Sequence, residues 1–355
     1  MRSQHSVRYR CRLKARCCGW EFVWMSDLLH PWFMPQWQRL CAQHQSDRLP
    51  HALLLSGPNG VGKRDFAQAL ANQLLCHQPT AQGPCNHCHS CDLRIAGHHP
   101  DLVRVAPEAE GKPIKVDQVR LLIDHLHSTA QQGGYRVVIM EPAEALNTSS
   151  ANALLKILEE PGEKTLLILV CHQPGQLMPT IRSRCQRIDF TTPSAELASE
   201  WLTSKLGLDA DRSAQLLRLS HGAPLKAFHL YQGDLLEQRK KLMTGLADLL
   251  RGRASVTDLA LQFNKFDLLQ CLDWLNSVLS DIVRMQMTGQ SSPRVNPDMS
   301  SMLQAVAKQA HSAKIFALAD RIQEERVSLM LRQNPNRQLL LERLLLQWSD
   351  LARKT

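Results

Sequence analysis

Four cysteines, Cys76, Cys85, Cys88 and Cys91, fall within sixteen residues in the pattern C-x8-C-x2-C-x2-C. Two-residue spacings let neighbouring thiolates meet one ion without stretching the backbone, and four sulfurs suit a closed tetrahedral Zn²⁺ site. A complete set leaves no open position for a reacting water, so such a metal would be structural. Reduced free thiols and an iron–sulfur cluster are the alternatives. His77, His87, His89, His98 and His99 flank the cysteines as competing ligands. No Lys or Arg lies between Asn86 and Asp92, so the segment lacks the charge expected of a nucleic-acid finger.

A second group begins with Gly57-Pro58-Asn59-Gly60-Val61-Gly62-Lys63-Arg64, between the apolar run HALLLS and the helical pattern RDFAQALANQLL. A phosphate loop needs that context. Glycines let the backbone wrap phosphates, the helix N-terminus faces them, and the lysine reaches the terminal ones. Arg64 stands where a Ser or Thr hydroxyl would hold Mg²⁺, and an arginine cannot ligate a cation. A Gly-rich turn without ligand is the bland alternative. The run Arg136–Met140 then ends in Glu141-Pro142-Ala143-Glu144, the shape of a Walker B segment. Glu141 could serve as the metal-facing acid, but Pro142 sits where the water-activating carboxylate belongs and does no base chemistry. Efficient hydrolysis is therefore not expected here. Arg184, in Pro179-Thr180-Ile181-Arg182-Ser183-Arg184-Cys185, is either an ordinary surface charge or a finger offered to a neighbour's γ-phosphate.

The elements that must position these groups are legible as patterns. Strands are expected at His51–Leu55, Leu102–Val105, Arg136–Met140, Leu166–Cys171 and Cys185–Phe190. Helices are expected at Arg64–Leu75, Val116–Thr129 and Ser149–Glu159. Strand–helix alternation with aliphatic strands predicts a parallel sheet covered on both faces. Beyond residue 193 helical periods take over, at Leu235–Leu250, Leu259–Met287 and Gln338–Leu351, with Thr288–Asp298 as a linker.

The chain has 355 residues, 44% of them hydrophobic and 21% charged, an ordinary soluble composition with room for two or three domains. Residues 1–24 hold six Lys/Arg against one acid and so carry +5 of the formal +9, leaving only a mild excess elsewhere. They lack the apolar core of a secretory signal. We read residues 1–28 as a flexible leader, with an upstream translation start as its simplest origin and the fold beginning near Met25; a transit peptide is the alternative. Without a secretion signal the eleven cysteines read as reduced and the protein as cytoplasmic.

Together the phosphate loop, the cysteine insertion after its helix, SANALLKILEEP (Ser150–Pro161) and TIRSRCQ (Thr180–Gln186) resemble the bacterial clamp-loader AAA+ family. The resemblance has specific motifs over roughly residues 29–234 and is looser beyond. An eroded phosphate loop with a Glu-Pro Walker B is similar to that family's delta-prime branch rather than to its gamma/tau ATPases. Gly222-Ala223-Pro224-Leu225-Lys226 sits at the sensor-2 segment, with Lys226 in place of arginine. Retention of Lys63 and the glycines leaves ATP binding without turnover open.

The resemblance implies an AAA+ P-loop NTPase α/β domain with a Cys₄ zinc insertion (29–189), a small helical lid (190–234) and an all-α collar (235–355). It implies a non-catalytic or weakly active subunit of the DNA polymerase holoenzyme. Its partners would be delta and gamma/tau, and through the complex the β sliding clamp and primed DNA, with Arg184 acting in trans on ATP bound next door. The competing readings are a catalytically active AAA+ motor of the gamma/tau kind and a zinc-dependent nucleic-acid-binding module.

Overall fold

The computed structural model describes residues 28–80, 83–109, 111–127, 129–288, 294–330, 333 and 335–351. The leader expected over 1–28 lies outside them, apart from Leu28, as do residues 289–293 of the expected linker. The first part of the chain alternates strand and helix, in the order α1 (Met34–Gln45), β1 (Ala52–Ser56), α2 (Lys63–Leu75), α3 (His89–Ile95), β2 (Leu102–Val105), α4 (Val116–His127), β3 (Arg136–Met140), α5 (Thr148–Glu159), β4 (Thr165–Cys171), α6 (Pro179–Arg182) and β5 (Gln186–Asp189).

The five strands form one sheet in the order β2-β3-β4-β1-β5, every pairing parallel. Each residue of β1, β3 and β4 is buried, because helices cover both faces. Period-two alternation sorts their side chains between two cores. Leu53, Leu55, Val137, Ile139, Ile168 and Val170 face α1 and α2, while Leu54, Val138, Met140, Leu167 and Leu169 face α4 and α5. In-register pairing of Leu54 with Leu169 and of Met140 with Leu169 aligns the strand ends. The carboxyl ends of β1, β3 and β4 therefore deliver the phosphate loop, Glu141 and His172 to one edge, where ligands of open parallel sheets bind.

After β5 the chain is helical: α7 (Ala195–Leu206), α8 (Ala210–Leu219), α9 (Pro224–Gln232), α10 (Leu235–Leu250), α11 (Val256–Phe263), α12 (Leu268–Thr288), α13 (Ser300–Gln309), α14 (Ser312–Met330) and α15 (Arg337–Asp350). One continuous apolar cluster runs through them from Ala198 to Leu351. The single helix expected at Leu259–Met287 is two. Asp267 ends the first pattern and caps the second, its carboxylate accepting from Gln270 N at 2.6 Å. Within the expected linker, Asn296 is buried, and its backbone N–H donates to Asp281 at 2.8 Å. Among the described residues no helix is long and apolar enough to cross a membrane.

Candidate functional site

The loop 57–62 turns tightly from β1 into α2, with Gly60 and Gly62 at φ 80° and 105°. A side chain is excluded at both for a second reason. A Cβ on Gly60 would lie 2.6 Å from Lys226 Cβ, and one on Gly62 would lie 2.5 Å from the ring of His30. Lys63 is only 2% exposed, and its ammonium donates to the loop's own carbonyls of Gly57 and Pro58, each at 2.6 Å. Burial pulls its pKa down to about 8, opposed by the charges of Glu144, Cys171 and Glu141. The lysine is thus held in a phosphate-loop conformation and still largely protonated at neutral pH.

Arg64 Nε donates to Glu141 Oε2, the acid at the tip of β3. Burial raises the pKa of Glu141, and the adjoining Arg64 guanidinium pulls against that rise. A resident cation therefore occupies the carboxylate that a magnesium site would use. Glu144, two residues past Pro142, is turned to the backbone instead and accepts from His172 N at 3.0 and 3.2 Å. The sequence reading missed His172. Its ring lies 3.7 Å from Glu141, and burial, with Lys63 and Arg64 nearby, pushes its pKa down to about 3. It is neutral near pH 7, so this contact is not an ion pair despite its length. Its signal was positional: it directly follows β4, beside the strand that carries Glu141.

Lys226 belongs to α9, whose first amides close on the loop: Leu225 N and Lys226 N donate to Gly60 O at 2.9 and 3.4 Å. Its ammonium, by contrast, lies 3.5 Å from Asp273 of α12, which also receives Arg326 of α14. Arg184 follows α6 at the surface. It pairs with Glu159 at 2.8 Å and donates to Thr180 O at 3.0 Å, leaving its side chain 38% exposed.

The cysteines converge. Cys76 follows α2, Cys91 lies in α3, and all four sulfurs fall within 4.8 Å of one another. Cys76 and Cys85 are 3.4 Å apart, Cys85 and Cys91 4.0 Å, where a Zn–S length of ~2.3 Å implies tetrahedral edges of about 3.8 Å. Backbone N–H groups of Cys85 and Gln78 donate to Cys76 Sγ at 3.2 and 3.4 Å. Asn86, at φ 59°, bends the chain between ligands, and Arg94 braces its side chain at 2.6 Å. His99 is committed elsewhere, bonded to Ser90 Oγ at 2.8 Å and accepting from Asp101 N at 3.1 Å. Burial raises the pKa of the Cys76 thiol, against the pull of the backbone N–H groups of Cys85 and Gln78. Donor set and spacing together fit a metal ion.

A five-stranded parallel sheet with a glycine-rich loop after β1, an acid at the tip of β3 and a helical region closing on the loop defines an AAA+ ATPase-fold protein. Residues 34–194 match the family model described as DNA polymerase III, delta subunit, and residues 233–350 match DNA polymerase III, delta subunit, C terminal. The chain is 41% identical over 328 residues to DNA polymerase III subunit delta' of Pseudomonas aeruginosa, covering 92% of this chain and 99% of that one. It is 39% identical over 324 residues to the same subunit of Yersinia pestis, covering 90% and 95%. Against that of Escherichia coli K12 it is 33% identical over 318 residues, covering 90% and 94%. The chain belongs to the DNA polymerase III delta' family.

Proposed function

We propose that this chain acts in the cytoplasm as the delta' subunit of a bacterial DNA polymerase III clamp loader. It joins delta and gamma/tau subunits to place the β sliding clamp on primed DNA. The observation that carries this reading is identity with delta' relatives across nine-tenths of the chain. The Arg64–Glu141 pair favours a subunit that does not turn over ATP itself over the gamma/tau-like motor, because no hydroxyl and no free carboxylate await Mg²⁺. Its contribution to catalysis is then Arg184, presented to ATP on the neighbouring subunit. The four cysteines hold one Zn²⁺, which braces the segment after α2 and does no chemistry. A nucleic-acid module built on that segment finds no support in its sparse positive charge.

The test is reconstitution of the loader with and without this chain, reading β-clamp loading on primed DNA. Loading that proceeds at full rate without it would remove the assignment. For the nucleotide site we expect Lys63→Ala to leave loading unchanged, since Lys63 already serves its own loop carbonyls. The isolated chain should show no ATPase. Abolished loading by an assembled Lys63→Ala complex would mark the site as functional.

A further inference from the structure

Two-residue steps keep Cys85, Cys88 and Cys91 near one another, but Cys76 lies well before Cys85 in sequence and must be brought in by contacts. Cys85 N supplies one, to Cys76 Sγ. A buried chain of hydrogen bonds supplies another. Cys76 directly follows α2, whose last carbonyls have no partner within the helix. Ser90 of α3, fully buried and immediately before Cys91, donates its hydroxyl to one of them, Leu75 O. One bond thus joins the residues that precede two of the four ligands. With that hydrogen directed at Leu75 O, Ser90 Oγ accepts from His99 Nε2 at 2.8 Å. His99 Nδ1 in turn accepts from Asp101 N at 3.1 Å, which fixes the neutral ring with its hydrogen on Nε2. Asp101, also buried, extends the chain. Its carboxylate oxygens accept from Gln131 N and Gln132 N at 2.9 and 2.8 Å, and its carbonyl accepts from Val137 N of β3 at 2.9 Å. Gln131 and Gln132 lie in the turn that leads into β3.

We infer that Ser90, His99 and Asp101 are positioning residues of the metal centre, a tether that sets Cys76 against Cys91 and joins both to the turn before β3. This role rests on the four cysteines holding zinc. Among the described residues from 76 to 101 none belongs to a buried apolar cluster, so the register of Cys76 on Cys91 falls to polar contacts. Hydrogen bonds are directional, and Zn–S lengths vary by only ~0.2 Å, so a tether of this kind matches the tolerance of the site. Each proton on it has one place: only the Nε2–H imidazole satisfies Ser90 and Asp101 together. Removing the Ser90 hydroxyl takes a partner from both Leu75 O and His99 Nε2 inside the fold, where unmade hydrogen bonds are costly. The coupling is reciprocal. Metal that gathers Cys76 and Cys91 also holds Ser90 on Leu75 O. Through His99 and Asp101 it then orders the turn ahead of β3, the strand whose tip carries Glu141.

Two measurements on the full chain test this: zinc affinity, by competition with a chromogenic chelator, and amide exchange at Gln131 and Gln132. Ser90→Ala should bind zinc about tenfold more weakly than wild type, the low end of what residues bracing metal ligands contribute. A pair of substitutions at His99 separates positioning from general loosening. His99→Gln places an amide nitrogen where Nε2 lies and can still donate to Ser90 Oγ, whereas His99→Asn reaches only Asp101 N. The glutamine variant should stay within about threefold of wild type, and the asparagine variant should match Ser90→Ala. In Ser90→Ala and in metal-free wild type, exchange at Gln131 and Gln132 should quicken by about tenfold while α12 is unchanged. Wild-type affinity in Ser90→Ala, or equal losses in both His99 variants, overturns the tether. Should the variants not fold, metal-free wild type decides alone, and unchanged exchange at Gln131 and Gln132 overturns it. Wild type that binds no zinc removes the metal reading itself; zinc held equally by wild type and Ser90→Ala removes only the tether.

Discussion

Protein purified without chelator should carry one zinc per chain, and Cys88→Ser should lower its metal affinity by more than about 100-fold, since loss of mere supporting contacts already costs 10- to 100-fold. The expectation rests on what else could hold the segment. Among the described residues between 76 and 101, none joins any of the three buried apolar clusters. Hydrogen bonds do the holding instead, among them Ser90 to Leu75 O and to His99, Arg94 to Asn86, and Gln73 to Thr80 O. A stretch without a core is ordered at the expense of chain entropy, about 1–2 kcal/mol per residue for the backbone alone. Structural zinc supplies binding energy on the order of 10 kcal/mol or more in finger peptides, which offsets part of that cost. Metal loss should therefore raise amide exchange across α3 and its flanks, while α12, anchored in the separate helical core, stays protected. Absence of zinc by elemental analysis, or an unperturbed α3 in metal-free protein, would refute the assignment.

Where one local pattern decided a structure, the sequence was sufficient. Leu102–Val105 and Arg136–Met140 form strands with the expected limits, because short aliphatic runs bounded by Pro and Gly are too short for a helix and pair readily in a sheet. The cysteine spacing likewise fixed a cluster, since two-residue steps leave the sulfurs little room to part. Helix α3 went unread because its seven residues, among cysteines and histidines, show no apolar stripe. The break at residues 264–267 was signalled by Asp267 but hidden under a helical period that continues on both sides of it.

Long-range contacts were not legible at all. Nothing local to His30 or Trp32 tells that they will cover a loop some thirty residues later, and nothing local to Lys226 names Asp273 as its partner. Arg64 shows the intermediate case. Its identity excluded a magnesium ligand from sequence alone, but only the approach of α2 to the tip of β3 revealed that its guanidinium takes over Glu141. Residue type set what each group could not do; the fold set what it does instead.

Arg184→Ala should leave this protein folded and the loader assembled, yet cut its DNA-stimulated ATPase at the one site this subunit faces. Folding is spared because the Arg184 pair with Glu159 is exposed on both sides, at 38% and 52%, and such pairs contribute at most ~1 kcal/mol. The backbone carbonyl of Thr180 that Arg184 also engages can turn to water when the side chain is removed. Turnover is not spared, if the guanidinium crosses to ATP held next door. Arginine fingers stabilise charge as the phosphoryl group departs and are worth about 10³ to 10⁵ in rate. Only one of the loader's ATP sites would lose its finger, so the whole complex should show a partial loss, and single-site turnover a near-complete one. Lysine should rescue poorly, because a single ammonium cannot engage two phosphate oxygens as a planar fork does. Since Glu159 holds the arginine through an exposed pair that is easily exchanged, Glu159→Gln should change the rate far less than Arg184→Ala. The decisive measurement is ATPase of the reconstituted loader on primed DNA with the clamp present. Wild-type turnover and wild-type ATP affinity in the Arg184→Ala complex would leave Arg184 a surface charge and nothing more.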